Sequence, residues 1–178
     1  MPTQRHKATK SVSAIASICL PFMVSTIQAQ IPKANLPTQS AVMETNIVDQ
    51  AMALFRQRKF AEAKEILMPA ADKGQPEPQA LLGQMYNAGW GTPVDYEQAF
   101  KWWSRAADGG SADALWGLGL LYDDGKGVAQ DSKKAAQLWK KATEKGNIKA
   151  TVNLAFAYEQ GRGVELDHKE SATLFKQA

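Results

Sequence analysis

A chain of 178 residues with 44% apolar side chains is long enough for one folded domain and too apolar to remain disordered. Its formal charge of +3 is concentrated at one end, because Arg5, Lys7 and Lys10 precede every acid in the chain. Removing these three from the 21 Lys and Arg leaves 18 bases against 18 acids, a balance that excludes the basic face expected of a nucleic-acid binder.

The first element is an export signal. Residues 11–27 carry no charge and are dominated by Val12, Ile15, Ile18, Leu20, Phe22, Val24 and Ile27, and small Ala29 precedes Gln30. A basic start, a short apolar stretch and a small residue at the cut predict a signal peptide over 1–29, cleaved after Ala29. The alternative is an uncleaved anchor, and only that alternative attaches the protein to a membrane; the apolar stretch, interrupted by Pro21, is at the lower limit for spanning a bilayer. Ile18 stands where a lipidated cysteine at Cys19 would need a small residue. Cys19 is the sole cysteine and leaves with the signal, so packing, not a disulfide, must hold the body together. Export predicts a periplasmic or secreted bacterial protein.

Residues 30–40, with Pro32 and Pro37 and no apolar period, read as a linker. Residues 41–76 follow as a helical hairpin: Ala51, Leu54, Phe60, Ala63, Leu67 and Ala70 recur at helical spacing around a short turn at Gln57-Arg58-Lys59. This hairpin lacks the glycine loop found later, as a terminal capping unit often does.

The rest is an internal repeat of 36 residues, seen in Leu82, Leu118 and Leu154; Tyr86, Tyr122 and Tyr158; Gly89, Gly125 and Gly161; Gly91, Gly127 and Gly163. Asp95, Asp131 and Asp167 keep the same step, as do Trp103, Trp139 and Phe175, and Gly74, Gly110 and Gly146. The units run 77–113, 114–149 and 150–178. Each divides into two helices. Ala114, Leu115, Leu118, Leu121 and Tyr122 form one face, Gly125-Lys126-Gly127 stops the helix, and Asp131 caps the next. Ala135, Leu138, Trp139 and Ala142 form the second face, ended by Gly146. Asp95 with Gln98 and Asp167 with Glu170 have capping-box spacing. The recurring Tyr, Trp and Phe positions are expected to be core. Trp90, between Gly89 and Gly91, is expected to fold back onto Tyr96 or Trp102, the alternative being an exposed contact.

These residues resemble the Sel-one-like repeat (SLR) family, a branch of the tetratricopeptide (TPR) superfamily. The resemblance rests on Ala114, Leu118-Gly119, Tyr122, Gly125-Lys126-Gly127-Val128, Asp131, Lys134-Ala135, Trp139, Lys141-Ala142 and Gly146, and it covers residues 78–178 strongly. Residues 43–76 look like a plain TPR hairpin. Pro78, the Thr92-Pro93-Val94 shift and Ala155 in place of a glycine depart from the pattern without breaking it. The final repeat stops at Ala178 with no closing glycine, which fits a short last helix, an end covered by a partner, or a fragment of a longer array, the reading preferred here.

The resemblance implies an all-α fold, an α-solenoid of stacked antiparallel hairpins whose inner face binds a protein or peptide, in a cell-envelope complex. It places Val48, Met52, Ala80, Gln84, Asn87, Trp116, Leu120, Asp123, Val152, Phe156 and Glu159 on the first-helix positions that line that groove. For Trp116, Leu120, Val152 and Phe156 the competing reading is packing between repeats. The alternative function is a β-lactamase-like or cell-wall-acting secreted enzyme, since cysteine-rich members of the family have been described as β-lactamases. This chain lacks their paired cysteines and any Ser-x-x-Lys. His168 is the only histidine beyond the signal, too few for a metal cluster. Asp123-Asp124-Gly125 reads as a solvated helix end, not a calcium loop. No catalytic residue, cofactor or metal is expected.

Overall fold

The structure, a computed structural model, describes residues 39–178, with side chains from residue 47 onward. The expected signal peptide and most of the linker therefore lie outside the described residues. Among those residues there are eight helices and no strand, arranged as four hairpins: α1 (Gln39–Arg56) with α2 (Phe60–Asp72), α3 (Pro76–Ala88) with α4 (Tyr96–Asp108), α5 (Ala112–Asp124) with α6 (Ser132–Glu144), and α7 (Ile148–Gln160) with α8 (His168–Gln177). Each helix packs on the one before and the one after it, so the hairpins stack in sequence order. The helix α1 begins two residues inside the expected linker, at Gln39.

The helix boundaries follow from capping chemistry. Asp95 Oδ1 accepts from the Gln98 amide, Asp131 Oδ1 from that of Lys134, and Asp167 Oδ1 from those of Lys169 and Glu170. These bonds satisfy amides that a helix start otherwise leaves free. Ser111 and Asn147 cap α5 and α7 in the same way. Gly89, Gly125 and Gly161 end the first helices in the left-handed conformation.

The second glycine of each loop has a separate task. Gly127 lies against the backbone of Tyr96, where a β-carbon would stand 2.7 Å from the carbonyl. Gly91 meets Phe60 and Ala61 in the same way, and Gly163 meets Ser132 and Lys133. Each loop therefore seats on the start of the preceding hairpin's second helix. A side chain at that glycine would push two repeats apart.

Within hairpins, the buried indoles join the two helices. Trp103 Nε1 donates to the Ala80 carbonyl at 3.0 Å, and Trp139 Nε1 to that of Trp116 at 3.3 Å. Both are almost fully buried, whereas Phe175, at the corresponding position, is 39% exposed. This corrects its assignment to the core: Gly117 of α5 covers the outer side of Trp103, and no following helix covers Phe175 among the described residues. Phe175 instead meets Phe156 edge-on, with ring centroids 5.1 Å apart. Tyr86, Tyr122 and Tyr158 are half-buried at the core's edge rather than inside it. Lysines 64 and 134 stand over the rings of Tyr86 and Tyr122.

Trp90 also departs from expectation. It stacks on Phe60 at 5.6 Å and tilts against Phe55 at 5.8 Å, not on Tyr96 or Trp102. Its loop reaches backward to the preceding hairpin, as the Gly91 contact requires, so its neighbours come from α1 and α2.

Candidate partner-binding groove

The first helices of the hairpins adjoin one another: α1 touches α3, and α3 touches α5. Along this side lies a cavity of about 160 Å³. Its apolar lining comes from Val48 on α1, Ala80 and Leu81 on α3, Trp103 on α4 and Trp116 on α5. Gln84 and Ser111 add neutral polar groups, and Glu77, Asp113 and Lys149 add charges. All four hairpins thus contribute at least one residue.

Of the residues that sequence reasoning placed in a groove, the fold brings Val48, Ala80, Gln84 and Trp116 to this one cavity. Met52, Asn87, Leu120, Val152, Phe156 and Glu159 do not line it. Leu120 is partly buried against the core shared by the third and fourth hairpins, and Met52 and Phe156 are exposed at 40% and 45%.

Asp123 is a correction. It is buried, and its carboxylate binds Arg162 of the next loop at 2.6 Å and accepts from Ser132 Oγ at 3.2 Å. An aspartate on the last turn of α5 lies beside the following repeat's glycine loop, so it clamps two repeats together and is not free for a partner. The reading of Asp123-Asp124 as a solvated helix end holds only for Asp124. That exposed carboxylate accepts from Lys126 Nζ at 2.9 Å, and this bond together with its charge raises the lysine's pKa above the ordinary value.

Trp116 differs from the core indoles. It is half-buried, and its Nε1 has no hydrogen-bond partner among the described residues, whereas Trp103 and Trp139 both donate to a facing helix. Lys149 Nζ stands 4.8 Å above its ring. The charged residues Glu77, Asp113 and Lys149 were missed by reasoning from apolar periodicity. Their signal was present, since they occupy one position, the second residue of α3, α5 and α7, at the repeat step.

Among the described residues no cluster of three or more His, Cys, Asp or Glu is placed to hold a metal, and no helix is long and apolar enough to cross a membrane.

Stacked antiparallel hairpins with a side cavity define an α-helical repeat protein. The family is settled by comparison: Sel1 repeats match residues 79–111, 112–147 and 148–178, more than half of the sequence, and the chain belongs to the Sel1 repeat family. Proteins of this family generally mediate protein–protein interaction. No curated protein matches the sequence. Among solved structures, the chain is similar to a Sel1 repeat protein from Oxalobacter formigenes, with 28% identity and a TM-score of 0.66 over 74% of this chain and 54% of that one. It is also similar to c5321, a protective antigen of uropathogenic Escherichia coli strains with an SLR fold, at 33% identity and a TM-score of 0.61 over 66% of this chain and 25% of that one. Cysteine rich protein B of Helicobacter pylori shares the fold, at 24% identity and a TM-score of 0.52 over 65% of this chain and 87% of that one. The chain thus spans about half the length of the first of these and a quarter of the second.

Proposed function

We propose that this protein is an exported scaffold that holds a peptide or protein segment in a groove along its first helices, within a complex of the bacterial envelope. One observation carries the reading: a half-buried aromatic, Trp116, lies in a cavity to which all four hairpins contribute. Interfaces concentrate their binding energy in aromatic anchors set in such depressions. A repeat array offers an extended surface of this kind without chemistry of its own. The basic and then apolar N-terminal stretch supports export.

Two results are expected. Trp116→Ala weakens capture of the partner from envelope extract about five- to thirtyfold, the range of a loss of about 1–2 kcal/mol at a binding anchor, while helix content measured by circular dichroism stays at the parent level. Phe156→Ala, outside the cavity, weakens capture less. Collapse of the helix signal in Trp116→Ala would instead make that side chain part of the core. Separately, mass spectrometry of the exported protein should find a chain starting at Gln30. An intact N-terminus would mean that the segment is retained as an anchor.

A further inference from the structure

We propose that the cavity receives a lysine or arginine side chain of the bound segment, an inference that rests on the groove reading above and names the chemistry that the groove selects. Glu77, Asp113 and Lys149 succeed one another along the wall, two carboxylates and one ammonium. Lys149 Nζ is 3.8 Å from Asp113 Oδ1, whereas Glu77 has no ion-pair partner among the described residues. The wall therefore carries one unbalanced negative charge beside the apolar surface of Val48, Ala80 and Leu81. A side chain with an apolar stem and a cationic head matches that arrangement.

Lys149 shows how the head is held. Its ammonium lies between the Asp113 carboxylate and the Trp116 ring, at 3.8 Å from Oδ1 and 4.8 Å from the ring centroid. Asn147 Nδ2 donates to the same Asp113 oxygen at 2.8 Å and fixes the carboxylate's orientation. A positioned carboxylate and an indole face are already assembled around a positive charge. The placeholder is weakly held, because the Lys149 side chain is 59% exposed and that of Asp113 65%. Pairs so exposed contribute little. An incoming guanidinium also stacks on an indole better than an ammonium does. The volume of about 160 Å³ is close to that of cavities of about 150 Å³ known to admit a benzene-sized group, so one side chain fits and a folded element does not. An acidic segment would bring like charge to Glu77.

The test uses three capped alanine pentapeptides with a central arginine, norleucine or glutamate. Each is titrated into the full chain carrying isotope-labelled tryptophan, and the indole signal of Trp116, assigned with Trp116→Phe, is followed by NMR. The arginine peptide is expected to shift that signal at millimolar concentration, the norleucine peptide to act more weakly and the glutamate peptide not at all. Glu77→Gln is expected to weaken the arginine peptide about two- to fivefold, and Lys149→Met, which removes the competing ammonium, to tighten it by about the same factor. A norleucine peptide that binds as tightly as the arginine one, or an arginine peptide that leaves Trp116 unmoved at millimolar concentration, overturns the cation preference. The groove reading fails by a different result: full capture of the envelope partner by Trp116→Ala.

Discussion

Trp139→Ala is expected to lower stability by about 3–5 kcal/mol, the cost of truncating a buried tryptophan. The ring is 1% exposed and belongs to a core cluster with Leu115, Ala135, Ala142, Ala150 and Leu154, drawn from α5, α6 and α7. Its Nε1 bonds to the Trp116 carbonyl. The truncation therefore removes apolar contact from three helices and a hydrogen bond between two of them. Small residues dominate the neighbourhood, and alanines cannot extend to refill the space, so little of the cavity collapses. A stacked array draws its stability from each hairpin and from the interfaces between neighbours. The damage should consequently fall on the third and fourth hairpins before the first two. Urea titration checks the magnitude, and amide exchange checks the place: protection should drop first in α5 through α8. A midpoint shift worth less than about 1 kcal/mol would contradict the packing role assigned to this ring.

The same recurrence that marks Trp139 made most of the fold legible beforehand. Positions that repeat every 36 residues without a gap have to serve the same purpose in each unit, and the glycine loops, aspartate caps and buried Leu positions did so. Errors arose where one unit differs from its neighbours or where a residue's environment is supplied by another unit. Phe175 keeps the register of Trp103 and Trp139, yet no later helix lies over it among the described residues. The position of Asp123 on its own helix does not reveal that Arg162, a repeat further on, bonds to it. Sequence proximity points Trp90 to Tyr96 or Trp102, whereas its loop seats on the hairpin before.

The cavity was legible only in part, for a related reason. Val48, Ala80, Gln84 and Trp116 follow from the first-helix positions that the family resemblance assigns to a groove. Which of the eleven groove positions share a depression depends on how far each hairpin is rotated against the next, and periodicity in one dimension does not carry that rotation. Glu77, Asp113 and Lys149 do recur, but as a change of charge at one position. A search for repeated identity passes over a position whose meaning lies in its variation.

That principle gives the second large effect. Gly119→Ala is expected to destabilise the protein by about 1–3 kcal/mol, the cost of overpacking a filled core, although alanine is the better helix former by about 1 kcal/mol. A β-carbon at Gly119 would overlap the Trp139 indole at Nε1 and Cδ1, the atoms that hold the ring's hydrogen bond. Gly83 stands in the same relation to Trp103. At the corresponding positions of the fourth hairpin the sequence changes both residues together: Ala155 stands in place of the glycine and Phe175, a smaller ring with no N–H, in place of the tryptophan. Introducing both changes in the third hairpin, Gly119→Ala with Trp139→Phe, should therefore cost less than the sum of the two single changes, with a coupling of about 0.5–3 kcal/mol, the range for side chains in direct contact. A thermal and urea double-mutant cycle measures it. Strict additivity would mean that the glycine is needed for some reason other than the indole, and that the paired departure in the fourth hairpin is a coincidence of two independent substitutions.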